Sequence, residues 1–381
     1  MFNLNVHIYP SNLKNESRLF KEADTLISNK LVKKVVAVGI KDSNTEKLEI
    51  RSDNIEIHRI QVWEFFKSTS LNFFLKYFFF QFFVLLKLSR SNIDVINAHN
   101  LSVLPVSVLL KIFKKSKLVY DPHELETEVH NSRGLKRKYG KWIERKLITF
   151  ADEIMVVNES IKNWYENEYD ISNIYVVRNV PNIELKKSAK AQNKFREVFN
   201  ISEEKIIFLY QGLISSARGI DVILNAFKEV NDDKVLVLMG FGPDVDRIKK
   251  DFVNNENIFF HDAVSKKVLG TYTMSADVGF SLIENSCLNH YYCLPNKAFE
   301  YYFSKIPQIT SNFPELNKLV CENSFGWCIE PNSDSLSNLL NKINKKDVEA
   351  IKNNLRNSKK FYSWEEEEKQ IIMLYRDLIN D

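Results

Sequence analysis

Short runs of β-branched and other apolar residues alternate with longer amphipathic stretches along nearly the whole chain. In the first half, the runs at 4–9, 34–40, 55–60, 94–98, 117–121, 154–158 and 174–178 predict strands. The stretches at 17–29, 71–89, 102–114, 135–150 and 159–168 are long enough for crossover helices. Apolar strands separated by helices predict a parallel sheet covered on both faces. A polar stretch at 184–193 predicts a linker, after which the pattern restarts. Strands are predicted at 205–211, 234–240, 258–261, 277–282 and 306–311, with helices at 219–230, 243–252, 265–273, from 296, and at 314–322. This is a second doubly wound α/β unit, not a sequence repeat of the first. The tail opens on Ser363-Trp364-Glu365-Glu366, a capping box whose acidic run suits the positive end of a helix dipole. The expected division is therefore 1–183, 184–360, and a last helix in 361–381 that packs back across the first unit. Two facing units predict a central cleft, and ligands of such sheets bind at the carboxyl ends of strands.

Composition adds bounds rather than detail. A chain of 381 residues is too long for one ordinary core. The net charge of +4 gives no support for a nucleic-acid partner, so any positive patch is local. Residues 1–10 lack a basic start and a small-residue cleavage site, and no secretory signal is expected. Cys287, Cys293, Cys321 and Cys328 show no metal spacing, and buried reduced thiols of a cytoplasmic protein are expected. Glycine is scarce, and four of the ten (Gly212, Gly219, Gly240 and Gly242) fall within one short region.

The stretch Leu294-Pro295-Asn296-Lys297-Ala298-Phe299-Glu300-Tyr301-Tyr302 reads as a loop and a helix opening at Pro295 or Asn296. Proline costs nothing in a first helical turn, and the free N–H groups there suit a phosphate. Lys297 sits where a cation is unfavourable unless an anion offsets it. Glu300 follows on the same face, so the pair could hold the phosphate and sugar hydroxyls of a nucleotide. An ordinary capped helix with solvated charges satisfies the same local pattern. The loop from Gly212 to Asp221 follows the first strand of the second unit, and its Arg218 can offer a planar fork to a diphosphate. Gly240 and Gly242 line another strand end. The G-x-G-x-x-G spacing of dinucleotide sites is absent.

In the first unit, His123 and Glu124 form the best chemical pair, just past the strand end at Asp121. His99 ends the preceding strand, so two neighbouring strands each bring a histidine to one edge. Neither an HExxH pattern, a Ser-His-Asp order nor a Walker loop is present, and hydrolase and P-loop readings have no support.

Two stretches of the first unit bear on membranes. Nine of the 27 phenylalanines lie between Phe65 and Phe83, and the helix that holds Phe73 and Phe83 is apolar nearly all round. A crossover helix that also dips an aromatic face into a bilayer surface fits this pattern better than a spanning one. The stretch that begins at Arg133 and ends at Lys146 has seven basic residues against one acid, Glu144. Such clusters attract anionic headgroups or phosphates.

Taken together, the chain resembles the glycosyltransferases of family 4, which have the two-Rossmann GT-B fold. The carrying stretches are Ser17-Arg18-Leu19-Phe20-Lys21-Glu22-Ala23, Asp94-Val95-Ile96-Asn97-Ala98-His99-Asn100, Lys117-Leu118-Val119-Tyr120-Asp121-Pro122-His123-Glu124, Gly212 to Asp221, Gly240-Phe241-Gly242-Pro243, and Leu294 to Tyr301 with Pro307. The last resembles the branch that builds bacterial surface polysaccharides, such as capsule, O-antigen or lipopolysaccharide.

The resemblance implies a retaining transfer from a nucleoside-diphosphate sugar, most often UDP-linked, with no metal and no cofactor. It implies donor contacts by Gly212, Arg218, Gly240, Gly242, Asn296, Lys297 and Glu300, with Glu300 on the ribose. It makes His123 the first-unit histidine near the reacting sugar, with Glu124 beside it, and Ser11, Arg18, Glu22 and His99 cleft residues on the acceptor side. A lipid-linked glycan acceptor, and a cytoplasmic enzyme peripheral on the inner face of the cell membrane, complete that expectation. Two departures stand out. The family's arginine after the loop glycine is Leu213 here, and its paired-glutamate spacing falls on Tyr292, with Glu284 out of register. Lys297 is the expected substitute for that arginine, with backbone from Asn289 to Leu294 on the donor sugar. A GT-B UDP-sugar 2-epimerase and a non-catalytic nucleotide-sugar-binding subunit are the alternatives.

Overall fold

The computed structural model describes residues 1–62, 70–181, 193–215, 218–252, 255–358 and 362–380, the side chains of 70–74 excepted. The expected linker at 184–193 lies outside the described residues except for Asn193. The chain forms two compact units, Met1–Asn179 with Trp364–Asp381, and Val180–Ser363.

The first unit holds β1 (Phe2–Ile8), β2 (Val32–Ile40), β3 (Leu48–Ser52), β4 (Ile55–Ile60), β5 (Val95–Ala98), β6 (Lys117–Tyr120), β7 (Glu153–Val156) and β8 (Ile174–Val176). They form one sheet in the order β3-β4-β2-β1-β5-β6-β7-β8. Helices α1 (Ser17–Ser28), α2 (Ser70–Leu88), α3 (Leu104–Lys114), α4 (Gly134–Leu147) and α5 (Glu159–Tyr169) cross between them. All pairs are parallel except β3 with β4. That antiparallel strand escapes sequence reading because all five of its residues are exposed, leaving no apolar run to mark it.

The second unit holds β9 (Ile206–Leu213), β10 (Lys234–Phe241), β11 (Ile258–Asp262), β12 (Val278–Ser281), β13 (Gln308–Ser311) and β14 (Gly326–Ile329). They lie in the order β11-β10-β9-β12-β13-β14, all parallel. Its helices are α6 (Lys194–Phe199), α7 (Ile220–Ala226), α8 (Val245–Asp251), α9 (Lys266–Thr273), α10 (Leu288–Tyr291), α11 (Asn296–Phe303), α12 (Pro314–Val320), α13 (Ser333–Lys342) and α14 (Lys345–Asn357). Strand β14 and helices α6, α10, α13 and α14 are additions to the sequence reading.

The final helix, α15 (Trp364–Asn380), belongs to the first unit. Its Trp364, Ile371, Leu374, Tyr375 and Leu378 share a core with Ala23 and Leu26 of α1 and with Val35 and Val95 of the sheet. Trp364 Nε1 donates to Thr25 Oγ1 at 3.0 Å, and Glu367 accepts the backbone N–H of Arg178 at 2.7 Å.

One expectation about chemistry is corrected here. Cys321 and Cys328 are joined in a disulfide, so two of the four cysteines are not reduced thiols. Helix α12 ends at Cys321, and β14 brings Cys328 alongside, with the Cα atoms 6.2 Å apart. Cys287 and Cys293 are free and half-buried.

Strand order marks where each unit can bind a ligand. In the first, the order reverses between β1 and β5; in the second, between β9 and β12. Such a switch point opens a crevice at the carboxyl ends of the two strands. The residues after β5 and β6 include His99, Asp121 and His123, and those after β9 begin the glycine loop.

Candidate active site

In the second unit, Gly212 and Gly240 are register partners at the ends of β9 and β10. A Cβ on Gly240 would meet Gly212 O at 1.9 Å, so only glycine permits this pairing. Gly212 itself has φ +111° and open space where a side chain would stand, so its backbone is accessible to a ligand. Gly242 packs against the backbone of Ile214 in the same turn region. Leu213, in place of an arginine, is exposed.

Tyr210 organises the floor of this region. Its hydroxyl donates to Leu213 O at 2.7 Å, and Lys297 Nζ lies 4.1 Å above its ring. A cation over an aromatic face is stabilised by the ring quadrupole. Burial, with the Arg218 guanidinium nearby, pushes the Lys297 ammonium down to about 7. Helix α11 begins at Asn296, which is exposed, and Pro295 is its extended N-cap rather than a first-turn residue. That small correction to the proline's place leaves the first-turn N–H groups with no side-chain cap. Glu300 Oε2 accepts Gln211 Nε2 at 2.5 Å, and Gln211 Oε1 in turn accepts Thr273 Oγ1 at 2.8 Å. Burial pushes the Glu300 carboxyl up, while Gln211 and Lys297 pull it back. The unit thus brings Gly212, Arg218, Gly240, Lys297 and Glu300 to one sheet edge. Tyr210 and Gln211, the floor and the carboxylate's partner, were given no role from sequence.

In the first unit, His123 is 19% exposed and its ring lies against Tyr9, centroids 5.1 Å apart. Glu124 is exposed, and Ser11 is half-buried, its hydroxyl accepting the Leu13 N–H at 3.1 Å. Arg18, Glu22 and His99 are buried within the first unit. The reason is Asp121, itself fully buried. Arg18 donates to both Asp121 oxygens, from Nη2 at 2.7 Å and Nε at 3.2 Å, and from Nη1 to Val177 O at 2.6 Å. Glu22 stands 3.0 Å from Arg18 Nε. Burial opposes the Asp121 charge, but Arg18 and then His123 hold its carboxyl well below the usual range. Burial and Asp121 push the Glu22 carboxyl well above it.

Behind this group stands His7, which sequence reasoning overlooked. A signal was available: Asn5 and His7 recur at period two in a strand whose flanking Val6 and Ile8 are buried, which puts both on one covered face.

Each of the two units has relatives among known proteins. Residues 34–185 match the family described as Glycosyltransferase Family 4, and residues 191–361 match Glycosyl transferases group 1. An uncharacterized glycosyltransferase of Methanocaldococcus jannaschii is 27% identical over 233 residues, 56% of this chain and 57% of that protein. The chain therefore spans just over half the length of that relative. A chitobiosyldiphosphodolichol beta-mannosyltransferase of Debaryomyces hansenii is 24% identical over 343 residues, 79% of this chain and 71% of that protein. Among solved structures, a sucrose-phosphate synthase of Thermosynechococcus elongatus superimposes with TM-score 0.80 at 15% identity, covering 99% of both chains. Anabaena HepE, solved with UDP and glucose, superimposes with TM-score 0.67 at 11% identity, covering 99% of this chain and 98% of that one. With both of its units matched in order and the fold shared along its length, the chain belongs to the family 4 glycosyltransferases of GT-B fold.

Proposed function

We propose that this enzyme moves a sugar, with retention and without a metal, from a UDP-sugar to a growing surface glycan on a lipid-linked acceptor. The observation that carries the donor half is the cluster at the β9 edge. Two cationic side chains, Arg218 and Lys297, stand where burial and then the Arg218 charge depress the Lys297 ammonium, over an accessible glycine backbone and beside the uncapped start of α11. A diphosphate relieves that repulsion and gathers charge as it leaves, so fixed donors there favour the transition state. Glu300, held by Gln211, takes the ribose hydroxyls. HepE was solved with UDP, which supports that donor base.

Lys297→Ala is expected to raise the donor KM and lower kcat, for a loss in kcat/KM of about a hundredfold. Donor affinity of the wild type should fall as pH rises through about 7, because the ammonium of the empty site loses its proton there. Unchanged kinetic constants in the variant would remove Lys297 from the site. The assay compares sugar transfer to water with transfer to a polyprenyl-diphosphate glycan. Turnover of the sugar nucleotide alone to its 2-epimer would favour the epimerase alternative, and tight UDP binding without any turnover the binding-subunit one.

The acceptor half rests on the outer face of the first unit. Among the described residues no helix is long and apolar enough to cross a membrane. In α2, Phe80, Val84 and Leu88 face the core, while Phe78, Phe82 and Leu86 are exposed. The neighbouring α3 exposes Phe113, and α4 exposes Leu135, Tyr139 and Trp142 along one stripe. Arg137, Lys141 and Arg145 of α4 pair with Glu128 and Glu168. Among the described residues no carboxylate pairs with Lys136, Lys138 or Lys146. An apolar stripe with flanking unpaired lysines is the pattern of a helix lying in an anionic bilayer surface. The beta-mannosyltransferase relative is named for a dolichol-linked acceptor, which supports a lipid-borne glycan here. The protein should co-sediment with phosphatidylglycerol vesicles, and Phe113→Ser with Trp142→Ser should weaken this about tenfold or more. Equal recovery with neutral vesicles, or no binding at low salt, would sink the membrane contact.

A further inference from the structure

A hydrogen-bonded chain of buried side chains runs from α15 through β1 and β5 to His123. Tyr375 Oη donates to Asn97 Oδ1 at 2.7 Å, and Asn5 Nδ2 donates to the same oxygen at 2.8 Å. Asn5 Nδ2 also donates to the backbone carbonyl of Val95 at 3.1 Å. A carbonyl can only accept, so that bond sets the orientation of the Asn5 amide. Its Oδ1 then faces His7 Nε2 at 2.6 Å, and His7 must carry its proton on Nε2.

The consequence passes inward one ring at a time. An uncharged His7 has its lone pair on Nδ1, 2.7 Å from His99 Nε2, so His99 also carries its proton on Nε2. The bare His99 Nδ1 then lies 2.9 Å from Asp121 Oδ2 and 3.1 Å from His123 Nε2. His123 Nε2 is 3.2 Å from that same Asp121 oxygen. Two acceptors, an imidazole lone pair and a carboxylate, converge on one nitrogen of His123. That nitrogen must supply the proton between them. Burial keeps the inner rings uncharged, pushing His7 well below its usual value and His99 down to about 4. The three converging atoms are also spaced to hold a cation, but Arg18 already donates to both Asp121 oxygens, which favours the proton.

We propose that Asn5 and His7 are positioning residues that hold His123 as the Nε2–H tautomer, leaving Nδ1 as its basic nitrogen. This rests on His123 being the group beside the reacting sugar. In that role His123 meets the substrate with a lone pair on Nδ1, able to accept a proton or a hydroxyl hydrogen bond, and its tautomer is set by residues that touch no substrate.

Histidine-selective ¹⁵N labelling of the full chain and two-bond ¹H–¹⁵N correlation at neutral pH test the assignment directly. His7, His99 and His123 should each show a protonated Nε2 and a bare Nδ1. A protonated Nδ1 on His7 or on His123 overturns the proposal. His7→Phe keeps a planar aromatic ring but removes the acceptor of the His99 Nε2–H. It should turn His123 into a mixture of tautomers and lower kcat about tenfold with the donor KM unchanged. An unaltered His123 spectrum in a folded His7→Phe protein also overturns the proposal. Tyr375→Phe leaves the Val95 carbonyl in control of Asn5, so there His123 should keep its Nε2–H form. If His7→Phe does not fold, the wild-type and Tyr375→Phe spectra decide. If His123→Ala keeps full turnover while the spectra are as expected, the functional role of His123 fails and the tautomer assignment stands.

Discussion

Arg18→Met should destabilise the first unit by about 3–5 kcal/mol at neutral pH. The variant keeps the length and packing of the stem but removes the cation that holds Asp121, leaving two buried carboxyl groups, Asp121 and Glu22, with no guanidinium between them. Val177 O also loses its donor. Urea unfolding, followed by amide exchange of β1 and β5, reads the loss, and a change under about 1 kcal/mol would contradict the pairing. The pH dependence has a definite sign. The folded Asp121 carboxyl sits well below its unfolded value, so its contribution is present above the unfolded range near 4 and is lost as pH falls through the folded value. The gap between variant and wild type should therefore narrow in acid, where the stranded carboxyls of the variant take up protons. His99 acts in a neighbouring window. Its folded value of about 4 lies below the unfolded 6.5, so the folded state binds fewer protons and wild-type stability falls as pH is lowered from the higher value to the lower. The loss is on the order of 3 kcal/mol.

His123→Ala should lower kcat for sugar transfer by about 10² to 10⁴, the range for a positioned acid–base group. The donor KM should stay within about threefold, because the groups assigned to the diphosphate and ribose all belong to the second unit. Folding should be little affected. Asp121 keeps both of its Arg18 hydrogen bonds, and His123 is already partly exposed. Transfer kinetics with a saturating UDP-sugar give kcat directly, and a loss of less than about threefold would remove His123 from the chemistry. A raised KM with kcat intact would instead make it a binding residue.

The local grammar of the chain determined a good deal. Runs such as residues 34–40 and 234–240 are apolar on both faces, which marks strands buried in parallel sheets, and the stretches between them can only be crossovers. The helix start near Asn296 and the glycines at 212 and 240 are likewise local features, set by backbone conformation and the cost of a Cβ. They sufficed for the two α/β units, the family resemblance and the donor-side candidates.

What the tertiary structure alone decided is which polar side chains meet. Period-two alternation puts Asn5 and His7 on a face but names no partner for them. The partners come from Val95 and Asn97, ninety-odd residues on, and from Tyr375, at a separation of 370 residues from Asn5. In the same way, nothing local to Arg18 and Glu22 shows that Asp121 draws them into the core, or that Cys321 and Cys328 are bonded. A buried polar group takes whatever partner the sheet register and helix packing bring within about 3 Å. Register and packing are fixed by contacts far apart along the chain, so the environment of His123 belongs to the fold, while the elements that build it belong to the sequence.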